Sequence, residues 1–210
     1  MSGKIVAVMG GAFDPVHQDH VSVARICLEK KICDEVWFVP SPDRWDKTIN
    51  ASPEDRFAML RLATSDEPRF ILSDEEIQQG DFRGSYVFLS HLRETHPDIC
   101  FRLLVGADSY EGIPHWRDPL YFYGTEYNGH LLLKEFELIV FERAGYPMPD
   151  LKTHLDKGYA NMFLLGKEQG FEGRYSSTDV RRSLLKSRSK PEGLLREVFE
   201  YIISRDLYRF

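Results

Sequence analysis

Two histidines, His17 and His20, follow the turn Gly10-Gly11-Ala12-Phe13-Asp14-Pro15-Val16. The apolar run Ile5-Val6-Ala7-Val8-Met9 precedes that turn, and a helical pattern from Val21 to Leu28 follows it. A strand, a glycine turn and a helix start in that order make an anion site. Gly10 and Gly11 let backbone N–H groups approach a ligand, and the helix N-terminus adds partial positive charge. On a helical turn both imidazoles project from one face toward the same spot. Such a pair suits a polyphosphate better than an apolar ligand. The bland alternative is a capped helix, with Asp14 near the N-cap, Pro15 just after it and the histidines solvated.

The elements that must hold these residues alternate. The β-rich run 34–40 is stopped by Pro40, and Ser52-Pro53-Glu54-Asp55 opens a helix carrying Phe57, Leu60 and Ala63. Phe70 to Ser73 reads as a third strand, and a helix after Gly84-Ser85 turns Phe88, Leu89 and Leu92 inward. Ile99 to Val105, Leu138 to Phe141 and Asn161 to Leu165 complete the strands, with 110–130 read as a long loop holding one helical turn. A helix capped by 175–179 runs to about Lys186. The last helix starts near Pro191 and buries Leu194, Leu195, Val198, Tyr201 and Ile202. Strands alternating with helices predict an α/β fold, a doubly wound, Rossmann-like parallel sheet in a single domain over residues 1–210. In such sheets ligands bind beyond the carboxyl ends of the strands. Segments 10–20, 41–48, 106–116 and 175–181, which follow strands one, two, four and six, all fall at that edge.

Composition narrows the function. A net charge of −6 with no basic half or tail argues against a nucleic-acid partner. Cys27, Cys33 and Cys100 are too few and scattered for a disulfide framework or a metal site, and Cys27 and Cys100 read as small core residues. No signal peptide opens the chain and no apolar run approaches a membrane span, so a reducing cytoplasm and no membrane partner are expected. The sequence is compatible with a homo-oligomer.

Gly11-Ala12-Phe13-Asp14-Pro15-Val16-His17-Gln18-Asp19-His20 resembles the nucleotidyltransferase superfamily signature Gly-x-Phe-x-Pro-x-His-x-Gly-His. The similar branch is the nicotinate (or nicotinamide) mononucleotide adenylyltransferases, which join a pyridine mononucleotide to the AMP part of ATP. Gly106-Ala107-Asp108 with Trp116 resembles that branch's Gly-x-Asp-x(n)-Trp stretch, in which the aspartate contacts ribose and the tryptophan stacks on the pyridine. The chemistry agrees, since a carboxylate accepts from vicinal hydroxyls and an indole face attracts a cationic ring. Tyr175-Ser176-Ser177-Thr178-Asp179-Val180-Arg181 resembles Ile-Ser-Ser-Thr-x-x-Arg, although Ser176 with Asp179 is also an ordinary helix cap.

The resemblance implies His17, His20 and Arg181 as catalytic residues. It implies Gly10, Gly11, Phe13, Lys47, Gly106, Asp108, Ser176, Ser177 and Thr178 around ATP, and Arg44, Ser85, Tyr86 and Trp116 toward the pyridine nucleotide. Arg56 stands near a familial motif and is expected near the site. Val87 replaces the threonine of the branch's Ser-Tyr-Thr, and residues 121–130 look like an insertion. Mg²⁺ would ride on the ATP phosphates without a dedicated protein site. A pantetheine-phosphate adenylyltransferase or a cytidylyltransferase is the alternative within the superfamily. Asp19, standing where the family has glycine, keeps open a non-catalytic nucleotide-binding protein. A carboxylate facing a triphosphate ~4 Å away would oppose binding by about 4 kcal/mol at an effective dielectric of ~20. Asp19 is therefore expected to point outward as a cap, with activity retained, or to bond a cation such as Arg181.

Overall fold

The structure is a computed structural model that describes residues 3–43, 48–80, 82–116, 128–187 and 189–208. The strands are β1 (Lys4–Gly11), β2 (Glu35–Pro40), β3 (Phe70–Leu72), β4 (Ile99–Gly106), β5 (Glu137–Phe141) and β6 (Met162–Leu165). They form one six-stranded sheet of order β3-β2-β1-β4-β5-β6 with every pairing parallel. The order reverses between β1 and β4, the position at which doubly wound sheets leave a crevice at their carboxyl ends.

The helices are α1 (Gln18–Glu29), α2 (Pro53–Thr64), α3 (Glu75–Gln79), α4 (Ser85–Thr95), α5 (Ala107–Tyr110), α6 (Asn128–Glu135), α7 (Leu151–Asp156), α8 (Ser177–Lys186) and α9 (Arg196–Ser204). None of the described helices is long and apolar enough to cross a membrane. Side-chain alternation along β1 feeds two cores, one on each face of the sheet. Ala7 and Met9 pack with Val23, Ala24 and Cys27 of α1 and Met59 and Leu60 of α2, whereas Val6 and Val8 pack with Phe88, Leu89 and Leu92 of α4 and Leu132 of α6. Each fully buried Val, Leu, Phe or Met among these stabilises the fold by roughly 1.5–3 kcal/mol.

Four sequence expectations change. Helices α3, α5, α6 and α7 are additional, and α6 occupies part of the stretch read as a loop. The last helix begins at Arg196, because Leu195 takes an extended N-cap conformation. Cys100 is exposed rather than core: it lies at the amino end of β4, where burial begins only at Phe101. Leu195 and Tyr201, expected inward, are half-buried, while Leu194, Val198 and Ile202 are buried.

Candidate functional site

The carboxyl ends of β1 and β4 open onto a cleft of about 760 Å³, within the range of small-molecule sites. Its lining brings together Gly10, Gly11, Phe13, His17 and His20 from the β1–α1 turn with Gly106, Asp108 and Trp116 after β4. Ser176, Ser177, Thr178 and Arg181 line it from the start of α8, and Ser85 from the start of α4. Arg44 and Lys47 lie outside the described residues, as does most of the 121–130 segment.

The glycine turn is held from beneath. Phe13 has a positive φ of 50°, a conformation that L-residues adopt only under surrounding restraint. Its ring stands edge-on to His20, with centroids 5.1 Å apart. Asp14 is buried, and its carboxylate accepts from Asn50 N–H (2.8 Å), Asn50 Nδ2 (3.0 Å), Ala51 N–H (3.1 Å) and the Tyr208 hydroxyl (2.8 Å). Arg56 was expected near the site, but it is fully buried beneath the turn. It donates to the carbonyls of Ala12 (2.7 Å) and Ala51 (3.2 Å) and so supports the loop.

The two imidazole rings lie 3.8 Å apart, centroid to centroid. The N–H of His17 donates to Nδ1 of His20 at 3.2 Å, which leaves Nε2 of that ring to carry an N–H toward the cleft. His17 is buried, and its Nδ1 has no hydrogen-bond partner among the described residues. Burial, then His20 and Arg143, hold the His17 pKa well below its ordinary value. His17 is therefore neutral at pH 7. It can donate one N–H without paying for a buried charge.

The start of α8 faces this pair. Ser176 caps the helix, accepting from Asp179 N–H at 3.1 Å and donating to the Asp179 carboxylate at 2.7 Å. Ser177 donates its hydroxyl to the Pro15 carbonyl at 2.8 Å. Both hydroxyls, expected to face a phosphate, are thus already engaged in tying α8 to itself and to the glycine turn. The helix-start amides remain as the anion-binding feature of this segment. Arg181 donates to the Asp14 carbonyl at 2.5 Å and lies 3.4 Å from the Thr178 hydroxyl. Asp19 does not point outward and does not bond Arg181. Its carboxylate is buried and accepts the N–H groups of Arg174 (2.7 Å) and Tyr175 (2.8 Å), so two backbone dipoles answer its charge.

After β4, Asp108 stands beside Arg143, with Oδ1 3.6 Å from Nε. A side chain at Gly106 would displace this pair, because a Cβ would lie 2.3 Å from Asp108 Oδ1 and 3.0 Å from Arg143 Cγ. Sequence reading missed Arg143. It follows β5 at the same carboxyl edge as the other segments, lines the cleft, and donates to the Tyr175 carbonyl at 2.8 Å. Its place one residue beyond Glu142 after strand five was the available signal. Tyr86 departs from expectation: it follows Ser85 by about 100° of helix rotation and donates its hydroxyl to Glu135 of α6 at 3.0 Å. It is not part of the cleft lining.

The cytidylyltransferase-like family model matches residues 8–183 of this chain. A relative from Frankia alni, a probable nicotinate-nucleotide adenylyltransferase, is 34% identical over 96% of this chain and 98% of its own length. A probable nicotinate-nucleotide adenylyltransferase from Rhodopirellula baltica is 30% identical over 97% of this chain and 93% of its own length. Among solved structures, Plasmodium falciparum nicotinic acid mononucleotide adenylyltransferase complexed with NaAD superposes with a TM-score of 0.78 at 21% identity, covering 98% of this chain and 97% of that one. That likeness concerns the fold.

Proposed function

The chain belongs to the cytidylyltransferase-like family, and from that premise we propose that it is an adenylyltransferase acting in NAD biosynthesis. It joins nicotinate mononucleotide to the AMP moiety of ATP and releases pyrophosphate, within one domain. The observation that carries this reading is the convergence on one cleft of His17, His20, Arg143, Arg181 and the amides of two helix starts, with Asp108 and Trp116 also in its lining. The names of the full-length relatives support the pyridine acceptor.

The reaction is in-line attack of the acceptor's 5′-phosphate on the α-phosphorus of ATP. A phosphate monoester is ionised near neutral pH, so no general base is needed. The protein's work is to align two polyanions and offset their charge. His17 and His20 donate to the α- and β-phosphates, and these bonds strengthen as charge builds on the departing pyrophosphate. Arg181 and Arg143 supply positive charge, Gly10, Gly11 and the segment 176–178 supply backbone amides, and Phe13 supports His20. Asp108 accepts from ribose hydroxyls, Trp116 stacks on the pyridine ring, and Ser85 lies toward the acceptor. The Asp14 carboxylate is already committed to four donors and is not offered to a metal. Mg²⁺ bound to the ATP phosphates would supply further charge neutralisation there.

The test is a panel: pyrophosphate release with ATP or CTP against nicotinate mononucleotide, nicotinamide mononucleotide, phosphopantetheine and phosphocholine. ATP with nicotinate mononucleotide should be the fastest pair. A preference for CTP, or for a non-pyridine acceptor, would move the chain to another branch of its family.

A further inference from the structure

We propose that Asp19 is a positioning residue that clamps the segment ahead of α8 and so sets the phosphate-facing start of that helix. The inference rests on the adenylyltransferase reading for the site it positions, but not for the clamp itself. The signature that residues 11–20 resemble carries glycine at this place, and glycine has no acceptor to offer. Here the carboxylate reaches from α1 to a segment 155 and 156 residues away and takes both N–H groups of Arg174 and Tyr175 on one oxygen, at 2.7 and 2.8 Å.

The rest of Tyr175 is held as firmly. Arg143 donates to its carbonyl at 2.8 Å. Its ring occupies the space where a Cβ on Gly193 would stand, 2.3 Å from Cγ of the tyrosine. Gly193 in turn accepts the N–H of Gln18 at the start of α1 at 2.8 Å. One residue therefore has its amide fixed by α1, its carbonyl by the β5 end and its ring by the 193 turn. The next residue is Ser176, the N-cap of α8. Asp19 is not among the cleft-lining residues, whereas Arg174 and Tyr175 are. The carboxylate thus adds order to the ATP side of the site while its charge is spent on amides. An acid that appears at first to oppose polyphosphate binding becomes part of what preorganises it.

The experiment compares wild type, Asp19→Ala and Asp19→Asn. Residue-resolved amide exchange is read at positions 174 and 175, and Michaelis constants are read for ATP and for the mononucleotide. Alanine should speed exchange at both amides at least about tenfold and raise the ATP constant by about tenfold. The mononucleotide constant should move less than about twofold, because Trp116 and Ser85 lie on other segments. Asparagine keeps an acceptor oxygen and removes the charge; it should hold both quantities within about threefold of wild type. Unchanged exchange in alanine overturns the clamp, as does asparagine behaving like alanine, or both constants rising together. If alanine does not fold, Asp19→Gly, the residue of the resembled signature, is read in its place: unchanged exchange at 174 and 175 contradicts the proposal. Exchange is measured without substrates, so a wild type that releases no pyrophosphate would sink the adenylyltransferase reading and leave the clamp to be judged by its amides.

Discussion

The hydroxyl of Tyr208 donates a 2.8 Å hydrogen bond to Oδ1 of Asp14, joining residues 194 positions apart at the base of the glycine turn. Both are buried, and burial beside the Asp14 carboxylate pushes the Tyr208 phenol up, which keeps it a donor. The end of the chain thereby braces the loop that presents His17 and His20.

Tyr208→Phe removes that donor and leaves a buried carboxylate one partner short. A hydrogen bond to a charged group is worth about 1.5–3 kcal/mol, so thermal unfolding should fall by roughly 3–12 °C in a chain of this size. An unchanged Tm would mean that the turn is held by Asn50 and Ala51 alone.

The low pKa of His17, caused first by burial, and that of His154, also caused first by burial, give a signed pH dependence. The unfolded chain takes up protons near 6.5 that the folded chain holds off. Stability is therefore fully present above that value and is lost as pH falls below it. Thermal unfolding at about pH 7.5 and about pH 5.5 should show a drop that shrinks when His154 is replaced by Gln. Equal drops in both proteins would remove His154 from the account.

Trp116→Ala should raise the Michaelis constant for the mononucleotide far more than that for ATP. Stacking on a ring remote from the reacting phosphorus contributes mainly uniform binding. If both constants rise alike, Trp116 is a packing residue.

Arg143→Ala should lower kcat/KM for ATP by about 10²-fold, the order seen when a preorganised donor is lost. Lysine should recover only part, since a point charge lacks the guanidinium fork that reaches both Tyr175 and Asp108. Full activity in the alanine variant would return Arg143 to a purely structural role.

What could be read from the sequence was local. Gly10 to His20 announces a strand, a turn and a helix start within a few residues, and regular alternation of apolar runs gives a parallel sheet with its ligands at one edge. The short helices α3 and α7 carry too few turns for a periodic signal, and α6, with eight residues, is little longer. Partners that folding brings from afar left no mark. Nothing near Asp19 says that its acceptors' donors are at 174 and 175, and nothing near Asp14 names Tyr208. Arg143 had a legible position at a strand end, but the strand after it carries no motif. The same distance hides the setting of Asp19: its charge keeps it from a triphosphate, and the backbone amides that satisfy it lie at 174 and 175, beyond any local pattern.

The central claim is transfer of AMP, and its most direct test follows the label of ATP carrying ³²P at the α-phosphate. Incubated with nicotinate mononucleotide, the wild-type protein should move that label into the dinucleotide with matching pyrophosphate, and His20→Ala should do so at least about 10²-fold more slowly while remaining folded. Label that stays in ATP, or release of pyrophosphate without labelled dinucleotide, would contradict the account.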